Sequence, residues 1–231
     1  GAAPASDPER QDRIRYPMER AKLVLPFLKQ AALDAIAALK DAMTYVQNGF
    51  IADIDHLQWR DNYRIADTYF AFGKQPAAQT LTELRFIEQM CRRVATQVML
   101  RLGEFHGVPF GPPLFAIDPF NLPFPQLAFT THKYTAAPRK KGILPNMIYL
   151  CDSADLEEPD AFRWILCHEL FHYVDDETES NYLGDHGYAG DALKLPHAQR
   201  LQNADNFALF TMHAAIGRPR VSKIHWSLQF L

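Results

Sequence analysis

The sequence predicts a mainly helical α+β protein with a small mixed or antiparallel sheet. Of its 231 residues, 48% are hydrophobic and 12% aromatic, which is ample for a buried core. Apolar residues first recur at helical spacing, short β-prone runs among prolines and glycines follow, and a long apolar helix then returns. We therefore expect one domain, 1–231, made of a helical lobe (about 17–103), a sheet region (104–151), a segment of helices and a turn (152–216) and a tail (217–231).

Three helices make up the predicted N-terminal lobe. The first spans Pro17 to Val46, where Pro26 is expected to break or kink it, and Gly49 is a stop signal. The second runs from about Asp55 to Phe70. The third has the clearest signals, which are a capping box at Thr80-x-x-Glu83 and a closing glycine at Gly103.

Three β-prone runs, at 114–117, 127–131 and 142–151, predict the strands of a small, partly antiparallel sheet. We expect this sheet to lie under the helix that follows it. The start of that helix is marked by acidic residues and by Pro159, as the helix dipole and the preference for proline in the first turn favour.

That helix, predicted from Asp160 to Val174 as an amphipathic segment, carries a His-Glu-x-x-His element. The spacing of four places His168 and His172 on one face, one turn apart, where both can bind a single zinc at about 2.0–2.1 Å from nitrogen. Glu169 is placed to reach a metal-bound water rather than to ligate. The alternative is a helix with two solvent-facing histidines, and a third ligand downstream decides between these interpretations.

A catalytic zinc usually has three protein ligands and one open position. The metzincin pattern is excluded, because Asp175 and Thr178 occupy the positions of its glycine and third histidine. The last glutamate, Glu179, follows His172 too closely to come from a second helix, as a thermolysin-like site requires. The remaining candidates are Asp185, His186, Asp191, His197, Asp205, His213 and His225. Asp185 stands out because its glycine-punctuated turn, 184–190, can bring a carboxylate back to the helix.

With these residues in place, the chain resembles the aspzincins, the deuterolysin-like and peptidyl-Lys-type metalloendopeptidases. Their Asp-x-x-Tyr turn is matched by Asp185 to Tyr188, and their later Asn-Ala-Asp helix by Asn203 to Asp205. The strand before the active-site helix is similar to 147–151, and the aromatic-glycine signature to 69–73. The resemblance covers about residues 30 to 215.

Three departures from the family pattern accompany these matches. Tyr182-Leu183 stands in place of Gly-Thr, which removes a hydroxyl expected to support the site, and Ala189 stands where the family has glycine. The segment before the Asn-Ala-Asp helix also lacks the acidic residues of lysine-directed members, so a lysine-specific pocket is not expected.

The resemblance implies a zincin-like fold and a zinc metalloendopeptidase acting on a protein or peptide substrate. It implies one Zn²⁺ held by His168, His172 and Asp185, with Glu169 as general base and Tyr188 as a hydrogen-bond donor to the oxyanion. For Asp205 two roles stay open, orientation of a ligating imidazole and a purely structural one. His186 is expected to line the pocket.

In zinc peptidases of this architecture an exposed edge strand pairs with the extended backbone of the substrate. The candidate for this strand is 143–151, and the alternative is that this strand is paired on both of its edges.

Charge and hydropathy limit the partners. A formal charge of −3 does not favour nucleic acid or an anionic membrane surface, and no apolar run approaches the roughly eighteen residues of a membrane span. We expect a monomer that is secreted or delivered outside the producing cell, although the chain begins without a signal peptide.

The three cysteines allow at most one internal disulfide, and Cys91 and Cys167 are expected to be buried free thiols. Cys151 matches a position that is disulfide-bonded in fungal relatives, but the family's partner cysteines are missing. The chain therefore resembles a bacterial member that does not depend on disulfides.

Two other functions remain open at this point. The chain is consistent with a toxin or effector zinc hydrolase that acts on one protein or on a cell-wall amide, and with a non-catalytic binding module stabilised by zinc. The acidic run 175–179 is expected to be a solvated loop, with selection of cationic side chains as the alternative.

Overall fold

The computed structural model describes residues 8–109, 111, 114–117, 128–131, 147–151, 159–175 and 183–217. Within them lie seven α-helices, one short 3₁₀-helix and a three-stranded sheet, so the prediction of a mainly helical α+β protein is confirmed. The helices are α1 (Pro8–Gln47), α2 (Leu57–Phe70), α3 (Ala77–Leu102), α4 (Pro159–Val174), α5 (Ala189–Ala192), α6 (His197–Arg200) and α7 (Ala204–Ile216). None of these helices is both long and apolar enough to cross a membrane.

Helix α1 is continuous through Pro17 and Pro26, so the break that was one of the two expectations for Pro26 is wrong, and the alternative of a kink stays a prediction. An internal proline costs a helix about 3 kcal/mol. This helix also buries a dense stripe of small and aliphatic side chains, and we attribute its continuity to that packing; the stripe includes Leu28, Ala31, Ala32, Ala35, Leu39 and Ala42. The predicted stop is confirmed, because Gly49 has a φ of +69° just after the last helical residue.

The second and third helices differ from prediction mainly at their starts. A 3₁₀ turn, Ile54–His56, precedes α2. The predicted capping box at Thr80 is wrong, because α3 starts at Ala77 with Pro76 as its N-cap. Thr80 is buried inside the helix, where its hydroxyl donates to the Pro76 carbonyl at 3.3 Å. Gly103 ends α3 with a φ of +76°, as predicted.

The strands β1 (Phe115–Ile117), β2 (Ala128–Thr131) and β3 (Met147–Leu150) form a sheet of order β1-β3-β2. Strand β3 is parallel to β1 and antiparallel to β2. Strand β3 is therefore hydrogen-bonded on both of its edges. The predicted exposed edge strand at 143–151 is wrong, and the alternative of a strand paired on both edges is confirmed. In the register, Thr130 pairs with Ile148 and Phe129 with Tyr149.

Helix α4 is buried almost all round rather than amphipathic, because it packs against α7, α3, α1, β2 and β3. Its buried residues include both histidines of the His-Glu-x-x-His element. The alternative of two solvent-facing histidines is therefore contradicted.

Candidate metal centre

Helix α4 presents His168 and His172 one turn apart at its buried end, with 2% and 6% of their surfaces exposed. Their Nε2 atoms lie 3.1 Å apart. At this distance one nitrogen can donate its proton to the other, or both nitrogens can direct their lone pairs at one cation.

Asp185 completes a triangle with these nitrogens. Its Oδ1 lies 3.0 Å from His168 Nε2 and 3.1 Å from His172 Nε2. Ligand atoms around a tetrahedral zinc at 2.0–2.1 Å stand about 3.3 Å apart, so the three atoms fit one ion with little movement. Among the described residues, these three form the group of His, Cys, Asp and Glu side chains that can hold a metal ion.

The three side chains are unequally exposed. The Asp185 side chain is 45% exposed, whereas those of His168 and His172 are 2% and 8% exposed. The candidate metal site therefore faces solvent on the side of its carboxylate.

The turn that carries Asp185 is held against the start of α7. Gly184 donates its N–H to the Gln202 carbonyl at 2.7 Å and accepts the N–H of Ala204 at 3.1 Å. The buried amide of Asn203 accepts the N–H groups of His186 and Gly187 and donates to the Gly187 carbonyl at 2.8 Å. The chain thus fixes Asp185 through hydrogen bonds of the neighbouring backbone.

Asp205 lies in the first turn of α7, fully buried, and contacts two parts of the site. Its Oδ1 lies 3.2 Å from His168 Nδ1, and its Oδ2 accepts the N–H of Ala189 at 2.6 Å. Asp205 therefore fixes the ring of His168 so that Nε2 points to the triangle, and it also holds the residue that follows Tyr188.

The charges in the site are strongly coupled. Burial alone would lower the pKa of His168, but its hydrogen bonds with Asp185 and Asp205 outweigh burial and raise this pKa to about 10. Burial alone would raise the pKa of Asp185, but the two histidines hold it well below its usual range. Burial also raises the pKa of Asp205, against the hydrogen bond with His168. Without metal, the triangle thus holds a protonated imidazole beside a carboxylate.

Glu169 is buried, 5% exposed, and its Oε2 accepts a hydrogen bond of 2.7 Å from the hydroxyl of Thr130 on β2. The ring of Tyr188 lies near that of His168, with ring centroids 5.7 Å apart. Burial, and then the negative charge of Asp185, raise the pKa of Tyr188 far above its usual range, and Glu169 adds to this effect. Tyr188 is therefore a phenol that keeps its proton.

The other candidate ligands lie elsewhere. His197 contacts the Phe70 carbonyl and Glu83, His213 contacts the hydroxyl of Tyr69, and Asp191 pairs with Lys194. The ring of His186 folds back toward Gly184 rather than joining the triangle. His225 and most of the acidic run 175–179 lie outside the described residues; Asp175 accepts the N–H of Leu183 at 2.7 Å.

All three cysteines are buried and free, as expected for Cys91 and Cys167. Burial raises the pKa of the Cys91 thiol to about 12 and that of the Cys167 thiol well above its usual range. Neither thiol is therefore a nucleophile at neutral pH.

Two residues of the site have roles that the sequence does not predict. No local signal connects Thr130, on a predicted strand, with Glu169. Asn203 lies at the start of α7, where asparagine is common, but its side chain holds the turn at His186 and Gly187 instead of capping the helix.

Comparison of the sequence with models of known protein families and with curated proteins finds no match. The function is therefore inferred from the arrangement of His168, His172 and Asp185.

Proposed function

We propose that this protein is a zinc-dependent metalloendopeptidase of aspzincin type. The observation that carries the proposal is the triangle of His168 Nε2, His172 Nε2 and Asp185 Oδ1, 3.0–3.1 Å on a side, beside the buried carboxyl of Glu169. Two imidazoles and one carboxylate form a donor set that suits zinc.

Three protein ligands with a solvent-facing side favour a catalytic over a structural metal. Structural zinc sites are usually closed by four protein ligands, whereas catalytic sites keep one position open. The partial exposure of Asp185 supports an open site, and it favours an enzyme over a zinc-stabilised binding module.

The chain's own residues have distinct roles in this mechanism. A bound zinc supplies Lewis acidity, which makes water acidic and polarises a carbonyl group. Glu169 takes the proton from the attacking water and later delivers it to the leaving amine. The phenol of Tyr188 donates a hydrogen bond to the carbonyl oxygen as negative charge develops there, and its raised pKa keeps this donor protonated. Asp205 keeps the ring of His168 in the required orientation.

The test is digestion of denatured casein, with and without a chelator, by the wild type and by Glu169→Gln. We expect chelator-sensitive cleavage by the wild type, and retained zinc with about 10²-fold to 10⁴-fold lower kcat in the variant. Purified peptidoglycan in a parallel assay tests a cell-wall amide as substrate. Cleavage that survives the chelator, or a fully active Glu169→Gln, would refute the proposed mechanism.

A further inference from the structure

A general base works only when its carboxyl group points at the proton that it takes, and Glu169 has a long side chain with several rotatable bonds. Its neighbours on α4, His168 and His172, hold their rings through contacts with Asp205 and Asp185. The carboxyl of Glu169 needs an equivalent constraint, because a displacement of about 1 Å can lower a rate by about 10²-fold.

The hydroxyl of Thr130 provides a constraint of this kind. Thr130 Oγ1 lies 2.7 Å from Glu169 Oε2 and 3.0 Å from the backbone carbonyl oxygen of the same residue. One hydroxyl therefore contacts both the main chain and the side chain of Glu169. This double contact sets the carboxyl relative to the backbone of α4, the same frame that positions the two histidines.

The threonine is itself held in place by the sheet. Thr130 pairs with Ile148 of the central strand β3, and Ile148 is fully buried. The neighbouring Phe129 stacks on Tyr149, with ring centroids 5.1 Å apart. Strand β2 therefore carries the hydroxyl on a paired backbone rather than on a loop.

We propose that Thr130 is the positioning residue for Glu169, an inference that rests on the proposed peptidase function. A threonine hydroxyl has one proton and accepts through its lone pairs. It donates to the ionised carboxylate, since charged acceptors are favoured. The proton that Glu169 takes from water resides on Oε1, the oxygen that Thr130 does not contact, so the Thr130 hydroxyl donates to Oε2 both before and after the transfer. The contact thus holds the carboxyl throughout the reaction.

The test compares Thr130→Val, which keeps the shape and removes the hydroxyl, with Thr130→Ser, which keeps the hydroxyl. For Thr130→Val we expect kcat to fall about 10-fold to 100-fold with KM, zinc content and melting temperature near wild type. Thr130→Ser should stay within about threefold of the wild-type kcat. The control is Thr131→Val, which removes the next hydroxyl on β2; that hydroxyl contacts the main-chain N–H and carbonyl of Met147.

Wild-type kcat in Thr130→Val, or equal losses in the valine and serine variants, would overturn the inference while leaving the peptidase function intact. Should the valine variant not fold, Thr130→Ala and Thr130→Ser form a second pair that differs in the hydroxyl alone. Equal kcat in that pair would also overturn the inference. Absence of chelator-sensitive cleavage by the wild type would overturn both proposals.

Discussion

Replacing Asp205 by asparagine tests whether its buried carboxylate controls the metal site. The change keeps the size of the side chain but replaces one acceptor oxygen by an NH₂ donor. The carboxylate receives the N–H of Ala189 on Oδ2 and lies beside Nδ1 of His168 on Oδ1. Whichever way the amide is placed, one of these two partners meets a donor instead of an acceptor.

The two placements have different consequences. If the amide oxygen stays on Ala189, the NH₂ group faces His168 Nδ1 and forces the ring proton onto Nε2, the nitrogen that points to the triangle. Metal affinity should then fall about 10-fold to 100-fold, which corresponds to about 1.4–2.7 kcal/mol. If the amide is reversed, the buried N–H of Ala189 loses its acceptor, and the free energy of unfolding should fall by about 1–3 kcal/mol.

The assay combines zinc competition against a coloured chelator with thermal unfolding of metal-free and zinc-loaded protein. Asp191→Asn is the matched control, because Asp191 is 55% exposed and pairs with Lys194 on the surface; exposed ion pairs contribute little to stability. An Asp205→Asn protein with wild-type zinc affinity and wild-type unfolding in both states would refute this account of Asp205.

Removing the third ligand with Asp185→Ala should lower zinc affinity at least about tenfold, while His186→Ala in the same turn should retain it; unchanged zinc content in Asp185→Ala would mean that another residue is the ligand. Zinc uptake at pH 7 should release about one proton, because the pKa of His168, about 10 without metal, keeps the ring protonated whereas ligation needs a free nitrogen. Apparent zinc affinity should therefore rise with pH up to about 10. Calorimetry in buffers of different ionisation enthalpy would measure the released proton. A zinc affinity that does not change between neutral pH and about 9 would contradict this expectation. The fold raises the pKa of His168 above its ordinary 6.5, so the protonated ring stabilises the metal-free protein. This stabilisation is fully present below pH 6.5 and is lost as the pH rises through about 10. Thermal unfolding of the metal-free protein at a series of pH values would measure it.

The parts of the molecule that follow from local spacing could be predicted from sequence. His168 and His172 share a helix face because four residues make about one turn, and Gly49 and Gly103 end helices because they adopt positive φ. Asp185 was favoured among seven candidates because of its glycines, and the structure brings it to the two histidines.

The parts that depend on tertiary packing could not be predicted in this way. Pro26 lies inside a continuous helix, and Thr80 lies inside α3 rather than at its start. The central place of β3 depends on pairing with two distant strands. The contact of Thr130 with Glu169 joins residues 39 positions apart, where β2 lies against α4.

Ala189 shows how an alanine is accommodated in a backbone conformation that favours glycine. Its φ of +46° lies in the left-handed region, which glycine adopts far more readily than alanine. The hydrogen bond from its N–H to Asp205 holds this conformation in the present chain.

The unequal exposure of the three candidate ligands has a consequence for how the protein would acquire an ion. Because the carboxylate side is open to water, a cation can enter and leave without unfolding the chain. Meanwhile the two rings stay in place, packed in the core and, for His168, held by Asp205. Occupancy should therefore follow the supply of metal around the finished protein, and emptying the site with a chelator should be reversible on returning the ion.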